Sequence, residues 1–66
     1  MSNATFECMP AYILLDTHPV ADPAKSAVSF QIYLATEKGY SSKVVRVGKA
    51  IDVVASDNRA IRFVKA

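Results

Sequence analysis

Apolar and polar residues alternate most regularly over residues 27–36, AVSFQIYLAT, where every even-numbered position from 28 to 34 is apolar. A period of two carried by β-branched and aromatic residues predicts a strand. The alternative is a helix over residues 23–38. Asp22 would be its N-cap, Pro23 would occupy its first position and Gly39 would follow its end. The cleaner alternation favours the strand.

Residues 41–56, SSKVVRVGKAIDVVAS, are rich in valine, which favours a strand, but the segment is long for one and its apolar residues are adjacent in pairs. As a helix, the segment would have a narrow apolar stripe, formed by Val44, Val47, Gly48, Ile51, Val54 and Ala55. We therefore predict a helix. The alternative is a hairpin or meander that turns at residues 48–49.

The rest of the chain gives two shorter strands and a loop. Residues 9–15 predict a buried strand, residues 16–26 a proline-containing loop and residues 59–65 a closing strand. In the closing strand, Ile61 and Phe63 share one face, while Arg62 and Val64 share the other. The predicted fold is α+β, with a three-stranded sheet covered on one face by one helix in the order β-β-α-β. The helix allows a crossover between parallel second and third strands. An all-β meander is the alternative.

Composition is that of one small globular domain over residues 1–66, 52% apolar and 21% charged. We expect residues 1–4 to be disordered. The single cysteine, Cys8, excludes an intramolecular disulfide. The sequence shows no membrane-spanning apolar run and no signal peptide, so it predicts a cytoplasmic protein and no membrane partner.

Charge is divided unevenly along the chain. Residues 38–66 hold seven basic and two acidic residues, whereas residues 1–37 hold one basic and four acidic residues. The C-terminal half is therefore strongly positive although the whole chain carries only +2. Such asymmetry indicates a partner with an acidic surface, or nucleic acid.

The sequence contains no recognisable set of catalytic, cofactor-binding or metal-binding residues. His18 is the only histidine, and with Asp16 nearby it provides too few ligands for zinc. The segment 47–50, VGKA, resembles the end of a phosphate-binding loop but lacks the preceding glycine and the following hydroxyl residue. We therefore predict a protein that is not an enzyme and has no cofactor or metal.

Two surfaces are candidates for partner binding. Lys43, Arg46 and Lys49 recur every three residues, so a helix would place them along one basic flank. On the sheet face that this helix leaves open, Tyr33 and Arg62 would offer an aromatic ring and a guanidinium to a protein or to stacked bases.

These features favour a small protein-binding module that modulates or inhibits a larger partner by occupying its surface. Inhibitors from phages and mobile elements, such as anti-CRISPR proteins, include small proteins of this kind. The alternative is a nucleic-acid-binding protein that uses the basic C-terminal half. A homodimer would also suit so small a domain, since self-association adds buried surface.

Overall fold

The computed structural model describes residues 11–66, as a four-stranded mixed sheet with one helix on one face. The elements are β1 (Ile13–Val20), α1 (Pro23–Tyr33), a π-helical turn (Leu34–Lys38), β2 (Ser42–Val47), β3 (Ala50–Ala55) and β4 (Arg59–Lys65). The α+β class is confirmed, but the order is β-α-β-β-β with four strands. The expected disorder of residues 1–4, Cys8 and the start of the predicted strand 9–15 lie outside the described residues.

The sheet has the strand order β1-β4-β3-β2, so β1 and β2 form its two edges. β2 pairs antiparallel with β3, and β3 pairs antiparallel with β4, whereas β1 and β4 are parallel. The parallel pair requires a crossover, which α1 begins and the hairpins complete. The sequence predicts a parallel pair between the second and third predicted strands, which flank the predicted helix over residues 41–56. This prediction is wrong, because the parallel pair is β1 with β4.

The strand predicted over residues 27–36 is wrong, because this segment lies in α1 and the π-helical turn. The start of the helix agrees with the alternative prediction of a helix over residues 23–38. Asp22 is the N-cap, and its Oδ1 accepts a hydrogen bond from the Lys25 backbone N–H at 3.2 Å. Pro23 follows at the first helical position. The helical segment ends at Gly39, whose φ of 70° is the left-handed conformation that glycine adopts without strain.

The helix predicted over residues 41–56 is also wrong, because the segment forms the β2–β3 hairpin. The hairpin turns at Gly48 and Lys49, between the paired residues Val47 and Ala50. Gly48 has a φ of 59°, whereas the φ of Lys49 is not positive, and this is the pattern of a type II′ turn.

The predicted loop 16–26 is wrong in its first half. β1 continues through Asp16 and His18 to Val20, and Pro19 lies within it, opposite Val64. Proline is acceptable there because β1 is an edge strand, where a missing N–H need not break the sheet's internal ladder. The closing strand over residues 59–65 is confirmed.

The core lies between α1 and the central strands. Val53 is fully buried, and the surrounding cluster is formed by Ala27, Leu34, Ile51, Ala55 and Phe63. Phe30 of α1 meets Phe63 edge to face, with ring centroids 5.7 Å apart. Since α1 packs mainly against β3 and β4, it leaves much of β1 uncovered on the helix side of the sheet.

Candidate functional site

The face of the sheet away from α1 carries a buried carboxylate, Asp52, at the centre of β3. Its cross-strand neighbour on β4 is Arg62, whose Nε donates to Oδ1 at 2.7 Å and whose Nη2 donates to Oδ2 at 3.0 Å. The Tyr12 hydroxyl donates to the same Oδ2 at 2.6 Å. The carboxylate therefore links β4 and the segment before β1 to the central strand.

Hydrogen bonds determine the electrostatics of this cluster. The hydrogen bonds from Arg62 lower the pKa of Asp52, and they outweigh the burial that would raise it. The hydrogen bond to Asp52 raises the pKa of Tyr12, with burial and the carboxylate charge acting in the same direction. Asp52 is therefore held ionised, and Tyr12 is held protonated.

This cluster fastens strands together. Both carboxylate oxygens already accept hydrogen bonds, and over residues 11–66 no buried side-chain nitrogen or oxygen lacks a partner. Hydrogen bonds from β4 and from the segment before β1 to one buried carboxylate stabilise one register of the sheet. The carboxylate of Asp52 is therefore engaged in a structural role.

The predicted basic flank does not exist in the fold. Lys43 and Arg46 both lie on β2, where an odd separation puts their side chains on opposite faces of the sheet, and Lys49 lies in the hairpin turn. The physical reason is that helices and strands have different periodicities. Residues three positions apart lie on the same side of a helix but on opposite faces of a strand. Their role in partner binding remains a prediction.

Tyr33 and Arg62 do not share a surface either. Tyr33 lies at the end of α1, 45% exposed, where its ring stacks on Phe30 with centroids 5.9 Å apart. Arg62 does lie on the face away from α1, as expected, but its guanidinium is engaged by Asp52. The prediction that an aromatic ring and a cation lie together on one open face of the sheet is therefore wrong.

An apolar surface that the sequence did not predict is a groove between α1 and β1, with β4 as its floor. It contains two depressions of about 340 and 370 Å³ that share Phe30 and Ile61. The first is also lined by Leu15 and Leu34, and the second by Phe63, Val20 and His18. We call this surface the α1–β1 groove.

The two ends of the α1–β1 groove differ in charge. Lys38, Asp57 and Arg59 line the first depression, and Arg59 and Asp57 are 3.9 Å apart as an exposed ion pair. Lys38 thus supplies the net positive charge at this end. At the other end, His18 stacks against Phe63 with centroids 6.1 Å apart and lies 3.6 Å from Asp16. The groove is apolar in the middle and polar at both ends.

One sequence signal could have revealed the groove. The start of β1 is apolar at three successive positions, residues 13–15, ILL, although an edge strand with one covered face needs only every second residue apolar. In the structure Ile13 is 62% exposed and Leu15 is 56% exposed. Such an excess of apolar residues at an edge indicates a surface that contacts something.

Comparisons with protein-family models, with curated proteins and with solved structures found no match to this chain. Among residues 11–66 no three histidine, cysteine, aspartate or glutamate side chains are grouped as a metal site would require. In the same part of the chain, no helix has the length and apolar character needed to cross a membrane.

Proposed function

We propose that this chain is a small non-enzymatic protein-binding module, which modulates or inhibits a larger partner by occupying that partner's surface. The α1–β1 groove is the observation that supports the proposal most strongly. Its walls and floor are apolar side chains from α1, β1 and β4, and its size suits the side chains of another protein.

The charges at the groove favour an apolar partner segment that carries a carboxylate. Lys38 stands beside the apolar depression formed by Leu15, Phe30 and Leu34, whereas Arg59 is already paired with Asp57. A carboxylate next to the partner's apolar side chains would reach Lys38. This agrees with the positive charge of the C-terminal half, which favours an acidic partner surface.

The same charges give less support to nucleic-acid binding. A duplex or single strand is bound by cations that line one surface along its phosphates. Here Lys43 and Arg46 point to opposite faces of the sheet, and Arg62 is neutralised by Asp52. Protein binding is therefore the function we propose.

The test is capture of partners from a lysate with the tagged protein and two matched variants. Leu15→Glu places a charge on the groove wall, while Val28→Glu places it on the outer side of α1, at a residue that lines neither depression and is 54% exposed. We expect a protein that survives nuclease treatment to be captured by the native chain and by Val28→Glu, and to be lost with Leu15→Glu.

Circular dichroism verifies that both variants fold. Equal capture by the two variants would remove the α1–β1 groove from the proposal. Loss of all captured material on nuclease treatment, together with binding to DNA or RNA that weakens steeply with salt, would replace the proposal with nucleic-acid binding.

A further inference from the structure

The second edge of the sheet, β2, has backbone groups directed away from the sheet. In a hairpin with a two-residue turn, the residues next to the turn exchange hydrogen bonds, and bonded and non-bonded pairs then alternate. Since Val47 pairs with Ala50, residues 43, 45 and 47 bond to β3. The N–H and C=O groups of Val44 and Arg46 therefore point outward, and within residues 11–66 β3 is the only strand beside β2.

The side chains of β2 combine apolar surface with positive charge. Val44 is 45% exposed and Val47 is 37% exposed. Lys43 and Arg46 are exposed as well, Lys49 follows in the turn, and no acidic residue lies between positions 41 and 51. The edge therefore offers hydrogen bonds, valine side chains and a uniform positive charge together.

We propose that the β2 edge accepts an extended acidic and apolar segment of a partner protein as a fifth strand of the sheet. The backbone of the segment would bond to the outward groups of Val44 and Arg46, as in other cases of strand addition. Two carboxylates three positions apart would lie opposite Lys43 and Arg46, one on each face, with apolar residues between them opposite Val44 and Val45. This goes beyond the proposed function, because β2 and the α1–β1 groove lie at opposite edges of the sheet.

A second copy of the chain fits this edge poorly. Two β2 strands side by side would bring Lys43 and Arg46 of both copies into one ladder without an acidic residue between them. Like charges across a strand pair are destabilising, and natural edge strands carry lysine for that reason. The same charges attract a segment that contains aspartate or glutamate.

The experiment uses short synthetic peptides with a fluorescent label and the full chain. One peptide carries two glutamates three positions apart, with two valines between them. In the control peptide both glutamates are replaced by lysine. At low salt we expect the glutamate peptide to bind and the lysine peptide not to bind. Hydrogen exchange measured by NMR should then show new protection of the Val44 and Arg46 amides, while the amides of β1 remain unchanged.

Variants separate this surface from others of the molecule. The double variant Lys43→Glu/Arg46→Glu should weaken binding by about tenfold or more, because two attractive pairs become repulsive. Lys25→Glu makes the same kind of charge change in the first turn of α1 and should bind normally. Val44→Pro removes the backbone N–H of residue 44, which points away from the sheet, and leaves the hydrogen bonds between β2 and β3 in place. This variant should therefore reduce peptide binding while the sheet stays folded.

Several results would overturn the inference. Equal binding of the glutamate and lysine peptides would remove charge complementarity, and protection at β1 in place of β2 would assign the segment to the other edge. A dimer in sedimentation experiments that Val44→Pro dissociates would make a second copy the occupant. Leu15→Glu should leave peptide binding unchanged, so failure here and failure of the proposed groove are distinguishable.

Discussion

Arg62 and Asp52 face each other across the β3–β4 pair, joined by two hydrogen bonds of 2.7 and 3.0 Å. Asp52 is fully buried, and it is the only buried charged residue in the described part of the chain. A carboxylate without solvent depends on its partners for stability, so the strand register and this pair support each other.

Replacing Arg62 with alanine should destabilise the fold markedly. The substitution removes both guanidinium hydrogen bonds and leaves the Asp52 charge buried, with the Tyr12 hydroxyl as its remaining side-chain donor among residues 11–66. Arg59→Ala is the matched control, because its ion pair with Asp57 is 3.9 Å long and exposed. Urea unfolding should show a clearly lower midpoint for Arg62→Ala than for Arg59→Ala, and equal midpoints would contradict a structural role for the pair.

The lowered pKa of Asp52 predicts how stability depends on pH. Because the folded-state pKa lies below the unfolded-state value of about 3.9, the contribution of Asp52 is complete above that value and is lost as pH falls towards the folded-state pKa. The free energy of unfolding should therefore decrease below about pH 4. In Asp52→Asn the decrease should be smaller, although the variant is less stable at about pH 7. If the free energy of unfolding decreases equally with falling pH in both proteins, carboxylates other than Asp52 cause the loss of stability in acid.

Gly48 should be sensitive to substitution through its backbone alone. A Cβ at this position would meet nothing within 4 Å, but the φ of 59° is strained for any residue that has a Cβ. Gly48→Ala should cost about 1 kcal/mol, and Lys49→Ala, at the neighbouring turn position, should cost little. Thermal unfolding compares the two. A cost for Lys49→Ala as large as that for Gly48→Ala would contradict the type II′ turn.

The N-cap of α1 gives a further measurable contribution. Asp22→Ala removes the acceptor for the Lys25 N–H and should lower the free energy of unfolding by about 1 kcal/mol. Asp22→Asn keeps a capping oxygen and should retain most of the stability. If both variants lose the same amount, the charge of Asp22 at the helix start, rather than its hydrogen bond, is the important term.

The helical segment at residues 23–38, which is α1 followed by the π-helical turn, is visible in the sequence through its ends rather than its faces. Asp22, Pro23 and Gly39 indicated both limits correctly. The apolar pattern was misleading because α1 carries exposed apolar residues on its outer side, with Val28 54% and Ile32 58% exposed. A helix that is apolar on two sides has no clear stripe, so the alternation of residues 28–34 could dominate the prediction.

The error over residues 41–56 has the opposite cause. β3 is a central strand buried on both faces, so Val53 and Val54 are both inside, and adjacent valines do not argue against a strand there. Asp52 lies among them, although an aspartate is most often a solvated residue. Its role depends on lying opposite Arg62, which only the pairing of β3 with β4 establishes.

The parallel pairing of β1 with β4 has a consequence for how the molecule forms. In the described sheet the first strand has the last one as its only neighbour, so Ile13 must find Arg59 across nearly the whole described chain. Contacts so distant along the chain slow folding, whereas the β2–β3 hairpin closes locally. We expect pulsed hydrogen exchange during refolding to protect the hairpin amides first and those of β1 last. During synthesis, the apolar segment 13–15 would then remain without its strand partner until β4 has been made, and for that interval it is exposed to chaperones and to aggregation.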